Sequence, residues 1–61
     1  MANLTTKELT ALEDQIGMEK MLIKKYQAMA DLCTDMKLQE CLTKISQKHQ
    51  QHSDTLMSFL N

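Results

Sequence analysis

His49 and His52 stand three residues apart in the segment KHQQHSDTL, within a run that also carries Ile45, Leu56 and Leu60. Residues three apart share one face of a helix, so both imidazoles fall on the side that the aliphatic neighbours mark for burial. An imidazole taken out of water is hydrogen-bonded, ligates a metal or moves protons in catalysis. Earlier in the chain, one acid interrupts an otherwise apolar helical stripe: Glu19, between Ile16 and Ile23. Brought together, Glu19, His49 and His52 offer mixed oxygen and nitrogen donors to a divalent metal, with zinc or iron foremost and nickel or copper also acceptable. The alternative is that Glu19 and His49 form a buried hydrogen-bonded pair that fixes helix register without a ligand, while His52 is satisfied by Gln15, by water or by its symmetry mate. Glu13 is a rim acid available to a metal or to solvent.

Whether these residues meet depends on the elements that carry them. In NLTTKEL, Thr5 is suited to cap a helix, Glu8 holds the reciprocal capping-box position, and Leu4 and Leu9 occupy the two ends of a hydrophobic staple. Leu9, Leu12, Ile16, Glu19, Ile23, Tyr26 and Ala30 then recur at steps of three or four, which predicts a helix over about 6–32. The pattern resets at CTDMKL, where Thr34 or Asp35 can cap a second helix. Its stripe is Leu38, Cys41, Leu42, Ile45, His49, His52, Leu56, Phe59 and Leu60, giving a turn at about 33–35 and a helix over about 36–60. A connection this short folds the second helix back antiparallel on the first. With the bend near Thr34, Ile23 falls opposite Ile45, Tyr26 opposite Leu42 and Glu19 opposite His49, with His52 about one turn away.

Composition agrees with an all-α chain. Tyr26 and Phe59 are the two aromatics, there is no proline, and the apolar residues are mostly Leu, Ile, Ala and six methionines. Sixty-one residues allow one domain, 1–61, whose small core implies marginal stability alone. A net charge of -1, with acids and lysines interspersed, gives no basic stripe for a phosphate backbone, so nucleic acid is not an expected partner. Apolar stretches stay short, as in Met21-Leu22-Ile23, which argues against a membrane span or a secretory signal and for an intracellular chain. Cys33 and Cys41 are not spaced as CxxC and read as small apolar residues, with a disulfide between chains as the alternative. The methionines read as core filler, and Lys20, Lys24 and Lys25 as a solvated face.

Two helices alone cannot enclose such stripes. The simplest closure is a homodimer of hairpins forming a four-helix bundle, in which a two-fold axis gathers two copies of Glu19, His49 and His52. Met18, Leu22 and Met29 form a second apolar strip suited to that contact, and Gly17 either permits close approach of another helix or is an inconsequential surface residue.

Nearly the whole chain resembles the small ferritin-like spore coat proteins of spore-forming bacteria, those related to the coat F family. The likeness rests on LTTKEL, MEKMLIKKY, the turn before KLQECL, and KHQQHSDTL. It implies a ferritin-like hairpin, assembly with other copies and possible coat-like partners, a place in the sporulating cell or spore coat, and no established enzyme activity. Ferritin-like carboxylate proteins hold two metals with a Glu from one helix and Glu-x-x-His from the next. Glu19 matches the first position and His52 the histidine, but His49 stands where the motif has its glutamate. Fewer bridging carboxylates argue against di-iron oxygen chemistry and iron storage.

The sequence therefore points first to a structural assembly module, a homo-oligomerising helical hairpin that is not an enzyme. A nucleophile and a base are not brought to one level, since Cys33 lies at the turn and His49 several turns away. The alternative is a metal-binding ferritin-like protein with a Glu/His site at the bundle centre.

Overall fold

The computed structural model describes residues 3–60, so Met1, Ala2 and Asn61 at the ends of the 1–61 domain reading lie outside the described residues. Helix α1 spans Thr6–Leu32, helix α2 spans Met36–Met57, and a short 3₁₀ turn follows over Ser58–Leu60. The start of α1 is the capping box read from sequence. The Glu8 backbone N–H donates to Thr5 Oγ1 at 3.1 Å, and the Thr5 backbone N–H donates to Glu8 Oε1 at 3.0 Å. Between them they satisfy two donors that a helix N-terminus otherwise leaves to water. No helix interruption follows for 27 residues, about 40 Å at 1.5 Å rise.

The reversal needs no glycine. Cys33 leaves the helix in an extended conformation (φ -78°, ψ 135°), its N–H still held by the Ala30 carbonyl at 3.1 Å. Asp35 is extended too, and its carboxylate accepts the Leu38 N–H at 2.7 Å, so it is Asp35 rather than Thr34 that caps α2. At the far end α2 stops at Met57 rather than continuing to 60. Ser58 Oγ donates to the Thr55 carbonyl at 2.5 Å and the last residues tighten to 3₁₀, a common way to end a helix.

The two helices pack as an antiparallel hairpin, 46 × 14 × 11 Å overall. Three cross-links show the direction: Glu19 to His49, the Ile23 carbonyl to Ser46, and the Ala30 carbonyl to Gln39, partners descending along α2 as they ascend along α1. Ile16, Ala30 and Leu42 are the buried apolar residues and Glu19, Ser46 and Ser53 the buried polar ones among those described. On α2 the line turned toward α1 is therefore Leu42, Ser46, His49, Ser53 and Leu56, stepping by four and three as a coiled-coil seam does.

That seam is rotated from the apolar stripe read in the sequence, because Leu38, Cys41 and Phe59 are exposed, as is Leu9 on α1. The two serines explain the rotation. A short side chain lets the helices approach closely, and Ser46 Oγ satisfies itself on the Ile23 carbonyl at 3.1 Å. With serines on the seam, the wider apolar stripe turns to one flank. Gly17 has nothing within 4 Å of where a Cβ would stand, so no neighbour in the hairpin requires a glycine there. Neither described helix is long and apolar enough to cross a membrane.

Candidate functional site

Midway along the hairpin, α1 presents Glu19 to α2 at the level where the seam carries His49. The seam position is dictated by period: Glu19 follows Ile16 by three and precedes Ile23 by four, so it must enter the interface with them. Its side chain is 8% exposed, that of His49 20%, and that of His52 56%. Burial thus grades from a covered carboxylate to an imidazole at the rim.

One oxygen gathers both rings. His49 Nδ1 lies 2.6 Å from Glu19 Oε1, and His52 Nδ1 lies 3.3 Å from the same atom. The second oxygen, Oε2, accepts from Gln15 Nε2 at 3.0 Å, one helical turn back on α1. Gln15 therefore serves the carboxylate, where the sequence had offered it to His52. The two imidazoles meet edge to face at 5.6 Å between centroids, and the Tyr26 ring stacks on His49 at 5.7 Å and 18°. Tyr26, expected to pack on Leu42, also lies over the first imidazole. Its ring limits His49's movement and covers one of its faces.

These contacts favour the ionised acid. The hydrogen bond from His49 holds the Glu19 carboxyl below its ordinary value of 4.5, burial opposes this, and the bonds from Gln15 and His52 add to the lowering. A carboxylate with a low proton affinity, beside nitrogens aimed at it, is an arrangement that cations as well as protons can occupy.

The donor set can be tested against zinc. Zinc sits about 2.0–2.2 Å from imidazole nitrogen and carboxylate oxygen, so tetrahedral donors stand roughly 3.3 Å apart. One ligand atom from each of Glu19, His49 and His52 can be chosen so that all three lie within 4.8 Å of one another, and the His52 to Glu19 distance is 3.3 Å as it stands. Receiving an ion requires the short His49 contact to open by somewhat under 1 Å and both Nδ1 atoms to be free of protons. The residues therefore fit a mononuclear nitrogen and oxygen site. They do not fit a carboxylate-bridged pair of irons within one chain, since Glu19 is the one buried acid among the described residues. Glu13 is exposed and takes no part in the cluster.

The cluster also has an open side. Gln15, Glu19, His52, Thr55 and Leu56 line a shallow hollow beside it. Because Gln15 and His52 face the same hollow, residues a heptad apart from them open on the same flank: Leu22 and Met29 on α1, and Ile45, Phe59 and Leu38 on α2. Cys41 lies on that flank as a free, exposed thiol, and Cys33 is free and half-buried at the turn.

Of the residues that matter here, sequence reasoning missed Ser46, Ser53 and the role of Tyr26. The serines had a signal, the four-three spacing from Leu42 through Ser46, His49 and Ser53 to Leu56, which polar residue type concealed. No family model, curated protein or solved structure matches the chain, so a functional reading has to rest on its own sequence and geometry.

Proposed function

We propose that this chain is a structural assembly module: a helical hairpin that pairs with a second copy into a four-helix bundle, as a component of a spore coat or a similar protein layer. The observation that carries the reading is the apolar flank left in water. Met18, Met29, Leu38 and Phe59 are 47%, 41%, 51% and 49% exposed, while Ile16, Ala30 and Leu42 are the buried apolar residues among those described. Large apolar side chains gathered on one flank mark a contact surface. A chain of 61 residues with so few of them buried needs an added partner for stability. A two-fold axis through the flank sets like against like, methionine and leucine against the same residues of the second copy. The coat assignment draws on LTTKEL, MEKMLIKKY, KLQECL and KHQQHSDTL, and other coat-like chains with the same flank are the further partners it allows. No catalytic step belongs to this reading.

Thermal melting followed by circular dichroism tests it. The melting temperature should rise with protein concentration, as association requires. Met18→Glu places a charge on the flank without touching the buried seam, and should lower the melting temperature and remove its concentration dependence. A wild-type melting point that does not change with concentration would oppose the proposal.

A second reading is favoured by one specific observation, the convergence of two imidazole nitrogens on a single carboxylate oxygen. In it the chain binds a divalent ion, zinc before iron, through Glu19, His49 and His52. Elemental analysis of protein purified without an affinity tag, compared with His49→Ala, should show metal lost in the variant.

A further inference from the structure

The geometry points to a metal site that pairing of two copies completes: Glu19, His49 and His52 of one chain hold a zinc-class ion whose remaining coordination faces the flank that the second copy covers. The inference rests on the pairing reading and deepens it by naming what lies at the centre of the contact.

Three observations meet here. The donors converge within 4.8 Å, but they are three, and zinc held by protein in a closed site takes four. The side from which a fourth donor must come is set by burial. Glu19 is covered by α2, His49 is covered by Tyr26, and His52 is more than half exposed beside the Gln15 and Leu56 hollow. That hollow lies on the same flank as Leu22, Met29, Ile45 and Phe59, so a copy seated on those residues closes over the open coordination position. His52 can reach both ways, because its Nδ1 faces Glu19 while Nε2 is on the opposite side of the ring. Under a two-fold axis each ion can take its fourth donor from the facing copy's Glu19, whose Oε1 serves its own ion while its second oxygen, held here only by Gln15, lies beside the open hollow.

The cost of the alternative supports the same arrangement. Covering the flank without an ion would take the exposed His52 ring out of water with only a 3.3 Å contact to Glu19 for company, and polar groups buried with few partners are destabilising. An ion takes the Nδ1 of each imidazole and the carboxylate at once, and leaves the His52 Nε2–H to donate a hydrogen bond within the contact. Binding of metal and pairing of chains are then linked, each strengthening the other by the same factor.

Sedimentation equilibrium of the untagged chain measures this directly, in chelator and with one equivalent of zinc. Wild type should pair in both, with its dissociation constant about tenfold or more lower in zinc. His52→Ala removes the ring that metal-free pairing buries with few partners, so it should pair in chelator at least as tightly as wild type and show no response to zinc. His52→Gln provides the same comparison if the alanine variant proves non-helical by circular dichroism. Met18→Glu should stay monomeric in chelator and bind zinc more weakly than wild type. A wild-type dimer whose strength zinc leaves unchanged would overturn the linked site while leaving pairing intact. A chain that stays monomeric in chelator and in zinc would overturn the pairing itself.

Discussion

At the scale of single residues, Glu19 decides the behaviour of the centre. Its carboxyl is held below the ordinary value by His49 first, with Gln15 and His52 in support and burial opposing. A group whose folded value is depressed contributes stability that is present above the unfolded value and lost as the pH falls through the folded one. Metal-free protein should therefore lose melting temperature as the pH drops below about 4.5, and Glu19→Gln should flatten that part of the acid limb. Glu8 adds a share of the same sign, since the Thr5 backbone N–H and then its hydroxyl lower the Glu8 carboxyl as well. Melting curves in chelator from about pH 3 to pH 6 check this, and an acid limb identical in wild type and Glu19→Gln would remove Glu19 from the account. The meeting of Glu19 with His49 was legible in sequence because an antiparallel hairpin pairs levels by number, and one acid interrupting one stripe must face whatever shares its level. The Tyr26 stack on His49 was not legible. It depends on which way a ring leans across the interface, and a spacing rule does not carry that.

At the scale of elements, both helix starts could be read from chemistry that acts over three residues, Thr5 with Glu8 and Asp35 with the Leu38 N–H. The rotation of α2 could not be read the same way. An apolar stripe centred near Ile45 suggests burial there, yet the close approach of the helices is set by Ser46 and Ser53, whose small volume outweighs hydrophobicity as the guide to the seam. Ser53 is 1% exposed, and its hydroxyl has only a weak 3.9 Å contact to Met57 Sδ. Ser53→Leu adds apolar surface but has no room, and should destabilise the fold by about 1–3 kcal/mol through overpacking. Denaturant titration at fixed protein concentration measures it. A variant more stable than wild type would mean that the helices are free to move apart and that serine does not set the seam.

At the scale of the whole molecule, the hairpin is thin, its seam is half polar, and among its exposed apolar residues Met18, Met29, Leu38 and Phe59 share one flank. The buried set of Ile16, Ala30 and Leu42 is too small to offset the chain entropy of some sixty residues, each costing about 1–2 kcal/mol for the backbone alone. The proposed pairing would cover Met18, Leu22, Met29, Leu38, Ile45 and Phe59 with the same residues of a second copy, adding burial and enclosing the Glu19, His49 and His52 centre. The sequence offered this closure through the Met18, Leu22 and Met29 strip, and the exposure of Leu38 and Phe59 extends the flank onto α2. The most direct measurement is the mass of the folded, untagged chain in solution by light scattering behind a sizing column. A paired hairpin should elute as a helical species of twice 7.0 kDa. A stable, helical species of 7.0 kDa would contradict the pairing.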